Sequence, residues 1–137
     1  MYSAAVRSVL LYACETWPVR SIDMKRLLVF DHMCLRKLAR ICWDQRISNA
    51  EVRRRVFGAS PMNVPINVVL ARNQLRWLGH LLRMPSHRLS RRALFAEPRA
   101  DWKKQSGGQV MTWHRGIKML TSKLVLVGPV RVPDWVP

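Results

Sequence analysis

Arg72, Arg76, His80 and Arg83 follow one another at intervals of four, four and three residues, the spacing that gathers side chains on one face of an α-helix. A guanidinium holds phosphate through two parallel N–H bonds and also stacks on bases, so such a row suits gripping a polyanion better than reacting with one. The surroundings have the same bias. From Val52 to Ala96 there is no Asp or Glu, and arginine stands at positions 53, 54, 55, 72, 76, 83, 88, 91 and 92. An ordinary solvated face mixes the two signs. Arg72, Arg76, Arg83, Arg88, Arg91 and Arg92 are therefore the first candidates for phosphate contacts. Arg53, Arg54 and Arg55 come second, with Lys103 and Lys104. Neighbouring helical residues point in different directions, so at most two of the three consecutive arginines can serve one surface.

The residues that would support catalysis are not grouped. The eight acids, at 15, 23, 31, 44, 51, 97, 101 and 134, stand singly along the chain. Metal-assisted phosphoryl transfer needs carboxylates that converge on the ion. No Asp-Asp pair, HExxH, glycine-rich phosphate loop or nucleophile elbow occurs. Cys14, Cys34 and Cys42 form no CxxC pair, and the histidines at 32, 80, 87 and 114 are scattered. That pattern fits packed thiols rather than a zinc site or a disulfide frame. A non-enzymatic chain with no cofactor and no metal is expected.

The arginine row needs a helix, and Ile66 to Met84 supplies one: Ile66, Leu70, Trp77, Leu78, Leu81 and Leu82 occupy the side opposite the bases, and Pro85 ends it. Upstream, Tyr2 to Tyr12 reads as a helix starting almost at Met1, and Ala13 to Arg20 as a short extended connector. Ser21 is a good helix cap, and helical spacing continues from there to Cys42. Asp31 interrupts the apolar stripe of that helix. An unpaired carboxylate is costly there, so the spacing predicts an arginine partner from another helix, Arg72 or Arg76 being the expected one, or else a position at the open edge of the stripe. Ser48 and Glu51 form a capping box and Gly58 a left-handed stop, which predicts a short helix over Asn49 to Phe57. After Glu97 the DWKKQSGGQ stretch reads as a basic loop, followed by a helix from about Val110 to Leu126 and an extended, proline-containing tail.

The whole is a mainly α fold, a small bundle of about four to six helices with a partly irregular C-terminal tail. The expected divisions are an amino-terminal segment at 1–20, a basic helical domain at 21–96, and a loop, helix and tail at 97–137. With 137 residues there is material for one modest core, and a hydrophobic fraction of 49% argues against disorder despite a formal charge of +16. That charge calls for a polyanion partner, with RNA or DNA and an anionic membrane surface as the candidates. No apolar run is long enough to cross a bilayer and no secretory leader is visible, so an intracellular place, nuclear or cytoplasmic, is expected. Of the six tryptophans, Trp77 sits on the apolar side of its helix and reads as structural, whereas Trp102, beside Lys103 and Lys104, is a stacking candidate.

Six stretches in order, LLYACETWPVR, RLLVFDHMCLRKLAR, SNAEVRRRVFG, LRWLGHLLRMPSHRLSRRAL, WKKQSGGQVMTWH and LVGPVRVPDW, resemble the carboxy-terminal region of the endonuclease–reverse transcriptase polyproteins of RTE-like non-LTR retrotransposons. LRWLGHLLRMP is the most specific of them. The resemblance implies that residues 1–20 end a polymerase thumb and that the rest is the basic segment following it. It further implies nucleic-acid binding as the role, which sets the membrane aside, an upstream reverse transcriptase domain as partner, and endonuclease and polymerase centres outside this chain. Where the family pattern has LLYGCETW this chain carries Ala13, and PDWV replaces a more glycine-rich PGWG. Those departures point to a fragment or decayed copy. The alternative function is a structural packing module, or a decayed fragment, with no binding activity of its own.

Overall fold

A computed structural model of the chain describes residues 2–42, 44–60, 63–96 and 112–124. The protein is mainly α, with six α-helices and no strand among the described residues. Trp102, Lys103 and Lys104, and the tail expected after the last helix, lie outside them.

The amino-terminal helix is wound loosely at first: a π-helical stretch, Ser3–Arg7, runs directly into α1, Ser8–Leu10. The chain then turns at Ala13, whose φ of 56° is left-handed, and makes one 3₁₀ turn, Cys14–Thr16. A Cβ crowds the following carbonyl in that conformation, and glycine has none. The connector expected to be extended is thus a tight turn up to Thr16. Ala13→Gly is expected to stabilise the protein by about 1 kcal/mol, raising the thermal midpoint by a few degrees; an unchanged or lower midpoint in a thermal melt would contradict the strain at this position.

Helix α2 spans Ser21–Leu38. Ser21 is its first turn rather than its cap: the cap residue is Arg20, and the Asp23 carboxylate accepts from the Arg20 backbone N–H at 3.3 Å and from its Nε at 2.9 Å. The helix stops short of Cys42. Arg40 turns left-handed at φ 51°, Ile41 N–H reaches back to Arg36 O, and Ile41 drops into the core beside Leu35 and Val52. Helix α3, Asn49–Phe57, has the expected bounds: Ser48 Oγ accepts from Glu51 N–H at 3.3 Å, but the Glu51 carboxylate turns to Arg54 and Arg55 instead of closing the box. Gly58 ends the helix at φ 58° and ψ −138°, positive in φ but not left-handed helical.

Helix α4, Ile66–Arg83, is the bundle's spine. A short α5, Leu89–Leu94, follows where no helix was anticipated. Arg91 couples the two: its Nη1 donates to Leu82 O and Met84 O, both at 2.7 Å, satisfying carbonyls that the end of α4 leaves open. Helix α6 is Trp113–Leu124.

Three apolar clusters pack these elements. Tyr2, Leu35, Ile41 and Val52 join the amino-terminal turn to α2 and α3. Leu11 and Cys14 meet Ile66 and Leu70, with Leu27 and Leu28 of α2 alongside. Leu78, Leu81, Leu94 and Ile117 hold α4, α5 and α6 together. Residues 2–20 therefore share both of their apolar contacts with α2, α3 and α4. The apolar side of α4 is consumed by the second and third clusters, which leaves its opposite side to face water.

Candidate nucleic-acid interface

The charge that this interface can use depends first on what Asp31 takes away. Asp31 is fully buried, and it is not matched by Arg72 or Arg76. Its partners are Arg7 and Arg53. Arg7 donates from Nε to Oδ1 at 3.0 Å and from Nη2 to Oδ2 at 2.9 Å, Arg53 Nη1 donates to Oδ2 at 2.9 Å, and the Tyr2 hydroxyl donates to Oδ1 at 2.8 Å. Both guanidiniums also donate to Val64 O, at 2.9 and 2.6 Å, and both lie near the Phe57 ring. Helical phase explains the choice of partner: Arg72 and Arg76 lie on the side of α4 turned away from α2, whereas Arg7 and Arg53 project from elements packed against Asp31.

Burial alone would push the Asp31 carboxyl up, but hydrogen bonds from Arg7 and Tyr2 and the charges of Arg7 and Arg53 outweigh it and hold the group below the usual carboxylate range. The Tyr2 hydroxyl moves the other way, raised above its ordinary range by burial and by its bond to Asp31. With 7% of its surface accessible, Arg53 is removed from the phosphate-contact set. Arg54 and Arg55 do face solvent, but Glu51 already engages them, at 2.6 and 3.1 Å.

On α4 the expected row is exposed: Arg72, Arg76, His80 and Arg83 all face solvent. None of these arginines has a carboxylate partner among the described residues, where the ion pairs are confined to Asp31, Asp23 and Glu51. Arg88 and Arg92 are also exposed and have no acid partner among the described residues, the first just before α5 and the second within it. Arg91 is half-buried and occupied with the carbonyls closing α4, so it shapes the surface rather than presenting charge. Trp77 is half-buried against the third cluster, and its ring lies 5.4 Å from that of His80. Among the described residues no group of His, Cys, Asp and Glu is placed to hold a metal ion, and no helix is long and apolar enough to cross a membrane.

Comparison with family models, curated proteins and solved structures gives no match. The geometry must therefore carry the functional reading.

One organising feature escaped sequence reasoning. The turn at 13–17 receives three hydrogen bonds from distant helices: Asn73 Nδ2 to Cys14 Sγ at 3.4 Å, Gln74 Nε2 to Trp17 O at 3.0 Å, and Trp113 Nε1 to Glu15 O at 2.6 Å. It is the point to which α4 and α6 are both tied. The adjacent amides at 73 and 74 interrupt the apolar and basic pattern in the middle of the helix, and that was the available signal.

Proposed function

We propose that the chain is a non-catalytic, basic helical module that holds RNA or DNA by its phosphates, as part of a retrotransposon reverse transcriptase polyprotein. The observation that carries the binding reading is the outward row of Arg72, Arg76 and Arg83, continued by Arg88 and Arg92 and without a carboxylate partner among the described residues. With no carboxylate in reach, these guanidiniums remain available to an external anion, and only a polyanion offers as many charges at once. The row carries no groups arranged to read base edges, so affinity comes mainly from release of counterions. Parentage rests on the six ordered stretches of resemblance. The left-handed φ of Ala13, at the position where that pattern has glycine, is in keeping with it.

A filter-binding titration at rising salt tests the binding reading. Affinity for DNA or RNA is expected to fall linearly on a log–log scale, with a slope of about −3 to −4 for duplex if four or so phosphates are neutralised. Affinity that stays flat overturns it. Reading the genomic sequence upstream of this frame tests the parentage, since a polymerase sequence, intact or interrupted, is expected there.

A second reading, a packing module of a longer polypeptide, is favoured by one observation. Helix α2 exposes Ile22, Val29, Phe30, Met33 and Leu38, and the amino-terminal helix exposes Val9, with Tyr12 just beyond it. Apolar surface of that extent is what a neighbouring domain covers. The two readings use different sides of the molecule. A purified chain that self-associates and binds no nucleic acid would decide for the second.

A further inference from the structure

Beside the arginine row, the meeting of α4, α5 and α6 leaves a cleft of about 200 Å³, whose walls include Thr16, Trp77, Leu81, Leu94, Trp113 and His114. It is smaller than the roughly 300–1,000 Å³ of sites for drug-sized ligands, a size that suits one flat ring system. Its aromatic walls are held in place from behind. The Trp113 indole N–H is spent on Glu15 O and His114 Nε2–H on Leu94 O, and the two rings stand edge to face at 88°. With those polar ends satisfied inside the fold, the cleft is lined mainly by ring surface and aliphatic carbon, with Ser90 and Thr16 as its polar walls. The rim is basic. His80 closes the arginine arc of α4, and Trp77 lies roughly 60° further round the same helix, with its ring against that of His80. Arg76 precedes Trp77, Arg92 extends from α5 and Arg115 from the first turn of α6, all three exposed.

We propose that this cleft receives one unpaired base of a single-stranded polynucleotide whose phosphates lie along the α4 arginines. The inference rests on the phosphate-binding reading and adds the strand preference to it. Every base has a π-face, so stacking against Trp77 is tolerant of sequence, but a base inside a duplex has both faces covered and cannot enter. The exposed arginines carried by the same helices favour this occupant over an uncharged aromatic, because the phosphates on either side of the base have Arg76 and Arg92 as partners.

The test is anisotropy of the full 137-residue chain with oligo-dT and with the oligo-dT·oligo-dA duplex of equal length, at one salt concentration. The single strand is expected to bind roughly ten-fold more tightly. Trp77→Leu, which keeps apolar bulk against the third cluster, is expected to bring the strand to the duplex value and leave duplex affinity unchanged, while Trp77→Phe keeps most of the preference. Equal affinity for strand and duplex in the unaltered chain overturns the proposal, as does a preference that survives Trp77→Leu. Should the leucine variant not fold, a 2-aminopurine placed in the strand decides the matter: quenched emission on binding supports stacking in the cleft, and unchanged emission overturns it. Loss of binding to both nucleic acids would instead retire the phosphate-binding reading beneath it.

Discussion

Asp31→Asn is expected to lower the stability of the protein by about 3–5 kcal/mol, a large share of the roughly 5–15 kcal/mol by which domains of this size are held folded. The reason lies in what the substitution leaves behind. Arg7 and Arg53 are 5% and 7% accessible, and without the carboxylate two buried cations face one another with Val64 O as their shared acceptor. Asp31→Leu removes the acceptor altogether and is expected to cost more. Arg72→Ala and Arg76→Ala are expected to leave the thermal midpoint almost unchanged, because neither reaches Asp31. Replacing the three charged members together, as Arg7→Met, Asp31→Leu and Arg53→Met, with Tyr2→Phe to remove the hydroxyl that donates to Asp31, recovers much of the loss, since a buried ion network contributes little more than well-packed apolar side chains of similar volume. Thermal or urea unfolding of these variants checks the set. An Asp31→Asn protein as stable as the parent would show that the network contributes nothing.

The same network sets an acid limit. The folded carboxyl titrates below its unfolded value of about 3.9, so its contribution is complete above that value and is lost as pH falls through the lower, folded one. The parent should therefore lose stability steeply below about pH 4, relative to an Asp31→Asn protein that has no carboxyl to protonate there. His32, next along α2, is pushed down by burial and acts at higher pH. Protonation in the unfolded state erodes stability as pH falls past about 6.5, well separated from the Asp31 step.

The second large effect concerns binding. Replacing Arg72, Arg76 and Arg83 together by alanine is expected to reduce duplex affinity by roughly two to three orders of magnitude at 0.1 M salt and to flatten the salt slope by about 2.7, at 0.9 for each phosphate released. Arg54→Ala with Arg55→Ala, on the far smaller field left by their pairing with Glu51, is expected to do much less per charge removed. The comparison separates a face from a mere excess of charge. Equal losses per residue in the two sets would mean that net charge alone governs binding and that α4 has no special part.

What could be read from the chain and what could not divide along physical lines. Periodicity found α2 and α4, because each buries a stripe whose spacing is local information, while α3 was found from its end residues Ser48, Glu51 and Gly58 and α6 from the glycine-containing loop before it. The ends of α2 were misplaced because its stop depends on Ile41 being drawn into a cluster formed by residues far away in sequence. Helix α5 is a turn and a half long, too short to show a period, and rests on Leu94 alone for its buried contact. The buried carboxylate announced itself at Asp31, but its partners did not. Arg7 is the one charge between Tyr2 and Cys14, an isolated cation in an apolar stretch that mirrors the isolated anion in α2, and that symmetry was the usable clue. Arg53 hid among three arginines. The limit of two for one surface was already implied by helical geometry, and packing of α3 on α2 selects which one turns inward.

The bond from Trp113 to Glu15 joins residues 98 apart in sequence, whereas Arg53 and Asp31 are 22 apart. Helix α6 is also tied to α5, by the bond from His114 to Leu94 across 20 residues, so its docking joins a near neighbour and a distant turn at once. The arginine row exists as soon as α4 does, while the cleft beside it is completed only by α6. On the proposed reading, a chain whose α6 is undocked is expected to hold polyanions without distinguishing one strand from two, because one wall of the cleft is then missing.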